Sequence, residues 1–143
     1  KYAIGTYNLY ATQFSRDSID NSGMIITSTV HYCDPNCPFD NAFWSGSQMV
    51  YGEGYSLADD VVGHELTHGV TQYESNLFYY YQSGAINESL SDVFGEYYDQ
   101  TNGFGNDTPA VKWLHGEDLP GGANRNMSNP PAFSDPDKMT SSL

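Results

Sequence analysis

Apolar residues recur along this chain at two different periods, and the changes of period mark its elements. Over residues 3–14, Ile4, Tyr7, Leu9 or Tyr10, and Phe14 fall at roughly helical intervals ahead of a polar turn, which predicts a short helix. Residues 24–32 are β-branched and partly alternating, bounded by Asn21-Ser22-Gly23 and a cysteine loop, and predict a strand. Residues 41–44 and 48–51 flank Ser45-Gly46-Ser47 and predict a hairpin, whose edge either offers main-chain groups to an extended peptide or belongs to an ordinary hairpin packing its aromatics. A long helix is expected from Asp59-Asp60, acids that complement its dipole, to about Tyr73. An aromatic run, Leu77-Phe78-Tyr79-Tyr80-Tyr81, leads to a second helix from about Ala85 to Gln100. Beyond residue 101, Gly, Pro and Asn interrupt every period, so the tail is irregular. The fold class is α+β: a strand and hairpin region with one long helix, then the start of a mainly helical lobe, divided at 1–74 and 75–143.

Length and charge narrow the choices. A chain of 143 residues buries one sizeable core or two small lobes. Eighteen acids against five bases give a net charge of −13, which disfavours nucleic acid and anionic membranes as partners. No apolar run is long enough to span a bilayer, and Lys1-Tyr2-Ala3-Ile4 lacks the features of a signal peptide, so any targeting segment is expected to have been removed. Cys33 and Cys37 bracket a turn at Pro35 and Asn36, which favours a small-loop disulfide in an oxidising compartment. His31 lies on the predicted strand without a partner at ligand spacing, and reads as a packed or surface histidine.

Inside the long helix stands His64-Glu65-Leu66-Thr67-His68. At about 3.6 residues per turn, the two histidines share a face and offer half a tetrahedral zinc site, with Glu65 beside it as general base. The second helix carries Glu88, Asp92, Glu96 and Asp99 at i, i+4, i+8 and i+11, also on one face. Like charges so spaced repel, and no basic residue occurs between Arg16 and Lys112 to offset them. Nineteen residues separate His68 from Glu88, enough for an antiparallel return that levels 68 with 88, 64 with 92, and 60 with 96. Two cation sites follow. His64, His68 and Glu88 form a zinc site open at its fourth position, with Asp92 and Asn87 as acceptors that orient the two imidazoles. Asp60, Glu96 and Asp99, with Asp107 and Glu117 as further candidates, form an all-oxygen set suited to calcium; a solvated acidic face is the alternative.

Four motifs then resemble the thermolysin-like zinc metalloendopeptidases over nearly the whole chain: residues 41–44, 64–68, Gly84-Ala85-Ile86-Asn87-Glu88-Ser89-Leu90-Ser91-Asp92, and Arg125-Asn126-Met127-Ser128-Asn129-Pro130. The resemblance implies a secreted enzyme cutting polypeptides, with calcium where the acids gather. It implies that Asn41, Ala42 and Phe43 hold an extended substrate and that Tyr79 hydrogen-bonds the developing oxyanion. Arg125 would bind a substrate carbonyl beside a pocket, lined by Val61, for a large apolar side chain after the scissile bond. The family pattern also implies a further histidine in a later helical region, and none follows His115, which precedes Gly116-Glu117-Asp118 and is given no role. The expectation is therefore a central piece of the catalytic domain. It is either active as an endopeptidase or a zinc- and calcium-binding piece that needs a companion chain.

Overall fold

The computed structural model describes residues 1–35, 37–138, 140 and 141, so the turn expected at Asn36 and the last residues of the tail lie outside it. Helix α1 (Tyr2–Phe14) ends where Ser15 adopts a left-handed φ of 55° and its N–H bonds the Tyr10 carbonyl. Tyr10 is buried, and its hydroxyl meets Thr67 Oγ1 at 2.8 Å, which ties α1 to the long helix. Strands β1 (Ser28–Thr29), β2 (Ala42–Trp44) and β3 (Met49–Tyr51) form a sheet in the order β1-β3-β2, with β3 parallel to β1 and antiparallel to β2. The hairpin is as expected, closed by the Ser45 N–H on the Gln48 carbonyl at 2.9 Å.

The strand expected over residues 24–32 shrinks to two residues. Its partner β3 is three residues long and runs out of ladder, leaving flanking bonds from the Met49 N–H to Thr27 O and from the Tyr32 N–H to Tyr51 O. His31 is exposed and pairs with Glu53 at 2.6 Å. Cys33 and Cys37 are joined as a disulfide, with Cα atoms 5.1 Å apart.

Helix α2 (Asp59–Glu74) turns Val62, Leu66 and Val70 into a core shared with Ile19, Met49, Tyr51 and Ala58. Burying each large apolar side chain contributes about 1.5–3 kcal/mol. Helix α3 (Tyr81–Asn102) starts one turn before the expected residue 85. Ser83 Oγ bonds the carbonyls of Phe78 and Tyr80 across that first turn, while Tyr81 stays 77% exposed, so no buried period announces it. The helix stops at Gly103, whose φ of 71° suits glycine.

Helices α2 and α3 touch backbone to backbone. A Cβ on Gly95 would lie 2.6 Å from the Asp60 carbonyl oxygen, and one on Gly63 would lie 2.9 Å from Gly95 Cα. Gly95→Ala therefore forces the helices apart. Overpacking costs about 1–3 kcal/mol, more than the roughly 1 kcal/mol gained in helix propensity. A lowered urea midpoint is expected, and an unchanged or raised one would show that the helices separate freely.

Past α3, strands β4 (Leu114–His115) and β5 (Arg125–Asn126) pair antiparallel, with His115 opposite Arg125, and a 3₁₀ turn follows at Pro130–Phe133. Among the described residues, no helix is long and apolar enough to cross a membrane.

Candidate metal centre and cleft

One turn of α2 separates His64 from His68, and their Nε2 atoms lie 2.8 Å apart. From α3, Glu88 places Oε2 3.3 Å from His64 Nε2 and Oε1 3.5 Å from His68 Nε2. The outer nitrogens are taken: His64 Nδ1 meets Asp92 Oδ1 at 2.8 Å, and His68 Nδ1 meets Asn87 Oδ1 at 2.7 Å. Acceptors on both Nδ1–H groups leave both Nε2 lone pairs facing Glu88. The levels of the antiparallel helices are those the spacing predicts. These three side chains bring one ligand atom each to a common point, which fits a zinc ion.

Charge reinforces the fit. Burial works against protonated His64, yet hydrogen bonds to Asp92 and Glu88 carry it up to about 9. The surrounding carboxylates thus favour positive charge at this point, which a dication would supply with both Nε2 atoms unprotonated. Burial opposes charge on Asp92 too, but His64 and Arg125 hold its carboxyl well below the usual range. Arg125 forks onto Asp92, with Nε 2.9 Å from Oδ2 and Nη2 2.7 Å from Oδ1.

Glu65, 5% exposed, has a buried Oε2 with no hydrogen-bond partner. Burial raises its carboxyl, His64 opposes that, and Glu88 adds to it, for a value of about 7. A free acceptor near neutrality is suited to taking a proton from water.

The centre opens into a cleft of about 700 Å³, and Asn41, Ala42, Phe43, Val61, Tyr79 and Arg125 all line it. Strand β2 stands at the sheet edge along this cleft. The Tyr79 ring lies 6.0 Å from that of His68, and its hydroxyl donates to Glu88.

One turn below, Asp60, Glu96 and Glu117 gather, and Asp99, Asp107 and Glu117 gather beside them, so Glu117 belongs to both groups. Buried oxygens of Glu96, Asp99 and Glu117 have no hydrogen-bond partner. Burial and neighbouring acids push Glu96 and Glu117 up to about 8 and Asp99 up to about 10. Buried carboxylate oxygens left unpaired this way fit a hard cation.

Three residues join the site that the sequence reading left out. Asp59 is fully buried beside the acidic groups, with Oδ1 unpartnered and Oδ2 accepting from Asn102 at 2.8 Å. His115, given no role above, is 2% exposed with its ring 5.1 Å from that of His64. Its Nε2 lies 3.6 Å from Asp92 Oδ1 and 3.9 Å from Asp60 Oδ2, between the two centres. Burial lowers its pKa. Asn124 lines the cleft next to it. The available signal was position: His115 stands two residues before Glu117, which the acid pattern had already drawn in.

A His-Glu-x-x-His helix completed by a glutamate from its antiparallel neighbour defines a metallopeptidase-type centre. Family profiles agree: that of the thermolysin metallopeptidase catalytic domain matches residues 1–72, and that of its alpha-helical domain matches residues 75–143. The chain belongs to the thermolysin metallopeptidase family. Bacillolysin of Bacillus cereus is 45% identical over 151 aligned positions, covering 95% of this chain and 25% of that protein. Thermolysin of Alicyclobacillus acidocaldarius subsp. acidocaldarius is likewise 45% identical, covering 95% and 26%. The chain thus spans about a quarter of the length of these relatives. Among solved structures, the precursor of protealysin from Serratia proteamaculans superposes with a TM-score of 0.74 at 41% identity, covering 89% of this chain and 42% of that one.

Proposed function

We propose that this chain carries the catalytic centre of a secreted zinc metalloendopeptidase. The observation that carries the reading is the convergence of His64, His68 and Glu88 beside Glu65, whose buried Oε2 has no hydrogen-bond partner. Zinc held there supplies Lewis acidity to a carbonyl and makes water at that point a nucleophile near neutral pH. Glu65 accepts the proton of the attacking water as its oxygen joins the carbonyl carbon, then returns that proton to the amine as the C–N bond breaks. Asp92 and Asn87 keep the two imidazoles in the ligating tautomer. The Tyr79 hydroxyl turns from Glu88 to the developing oxyanion, and a free guanidinium N–H of Arg125 binds a substrate carbonyl. Asn41, Ala42 and Phe43 seat the substrate as an added strand on the edge of β2. Val61 gives the cleft an apolar wall, which favours a large apolar side chain in the residue after the scissile bond.

Asp60, Glu96, Asp99, Asp107 and Glu117, joined by Asp59, hold calcium in this reading. Residues 1–74 belong to an N-terminal lobe and residues 75–143 to a helical one. The disulfide suits an oxidising, extracellular setting.

The test is a peptide-cleavage assay with zinc stripped by a chelator and then restored. Activity should vanish and return with one equivalent of zinc per chain. A zinc-loaded chain that cleaves nothing until a companion polypeptide is added would instead support the incomplete-piece reading, and no cleavage under either condition would sink the peptidase.

A further inference from the structure

A peptide added to β2 is only as well placed as the strand that receives it. That strand is three residues long, and it leads into a turn where Gly46 holds a left-handed φ of 91°. Ala42, at its near end, is buried in the core, whereas Trp44 is half-buried and Ser45 and Gly46 are exposed. Something outside the sheet must hold the far end.

The holder is helix α2. The Trp44 indole lies on it at Gly69, where an added Cβ would come within 3.3 Å of two ring carbons. One turn past His68 stands Gln72. Its Oε1 accepts the Trp44 indole N–H at 2.8 Å, and its Nε2 donates to the Gly46 carbonyl at 3.3 Å. The indole nitrogen can only donate and the carbonyl can only accept, so these two partners fix which way the carboxamide is turned. A carboxylate in its place serves the indole alone, and an ammonium serves the carbonyl alone. Gln72 thus straps both the strand end and the turn to the helix that carries His64, Glu65 and His68.

Gln72 also lines the cleft with Ser45, Gly46 and Asn76, so the strap borders the path of an extended peptide. One helical turn is about 5.4 Å, and an extended peptide advances about 3.3 Å per residue. The strap therefore bears on substrate residues about two positions from the scissile bond.

We propose that Gln72 is a positioning residue for the peptidase reaction. Through Trp44 and Gly46 it sets the edge of β2 against the zinc-binding helix, and so sets the affinity for peptides long enough to run along that edge. The inference rests on the peptidase reading above. Bonds between the strand and the substrate main chain form before the chemistry and persist through it, so they act on KM and leave kcat alone.

The test uses the complete zinc-loaded protein and two quenched peptides of the same cleavage sequence, one blocked a single residue from the scissile bond on each side and one extended by three further residues on each side. Gln72→Leu keeps the bulk and removes both bonds. It should raise KM for the long peptide about tenfold, with kcat within about twofold of the parent, the short peptide unaffected and zinc content unchanged. In a Trp44→Phe background, which has no indole N–H to hold, the same substitution should raise KM by about threefold at most. Kd of the long peptide on zinc-loaded Glu65→Gln protein needs no turnover, and Gln72→Leu should weaken it about tenfold. A parent-like KM for the long peptide, an equal rise for both peptides, or a rise undiminished in the Trp44→Phe background overturns the strap and leaves the peptidase standing. No cleavage by the parent protein, with the long-peptide Kd still weakened by Gln72→Leu, overturns the peptidase and leaves the strap.

Discussion

Glu65→Gln is expected to leave zinc bound and to lower kcat by about a thousandfold or more, at the upper range of general-base contributions. The amide keeps the shape of the carboxylate but cannot take a proton, and Glu65 lies outside the ligand trio of His64, His68 and Glu88. Only the proton path should suffer. Metal analysis of the purified variant should return the parent's zinc content, and KM should move little, since no binding contact of the substrate is assigned to Glu65. Near-normal turnover would move the base elsewhere; lost zinc would mean that Glu65 shapes the ligand site as well.

The second large effect concerns the acidic groups below the zinc centre. Stripping calcium is expected to lower Tm by about 10 °C for each ion lost, taking a hundredfold excess over Kd as the loaded state. The loss should grow with pH. Burial and mutual repulsion raise Glu96 and Glu117 to about 8 and Asp99 to about 10 in the folded chain. A carboxyl whose folded value is raised contributes stability that is fully present below its unfolded value, near 4, and is lost as pH climbs through the folded value. Chelated protein should therefore melt progressively lower between about pH 5 and pH 9, where its acids must ionise against one another. Calcium-loaded protein should melt at a nearly constant temperature across the same window, because the cation neutralises those charges. Scanning calorimetry with and without chelator at both pH values checks this. Parallel curves would mean that the acids are solvated and hold nothing.

Much of this centre was legible because its parts obey helical arithmetic. His64 with His68, and Glu88 with Asp92 and Glu96, are locked to one face each by the helix period, and like charges without a counter-charge announce a missing cation. The pairing of the helices followed from the length of the return. What the chain order hid lies outside the helices. His115 and Asn124 reach the cleft on β4 and the turn into β5, two-residue strands too short to show any period. Their place is set by a tertiary contact, the Gly116 N–H on buried Asp60, which no local pattern records. The strand over residues 24–32 was overread for a related reason. Its residues favour extended backbone, but ladder length depends on a partner that ends after three residues.

The glycine contact between α2 and α3 adjoins both the histidine pair and the acidic groups, next to His64 on one helix and Glu96 on the other. The distance between facing ligands is thus gauged by main chain against main chain, and side-chain packing around it can drift without retuning the metal geometry.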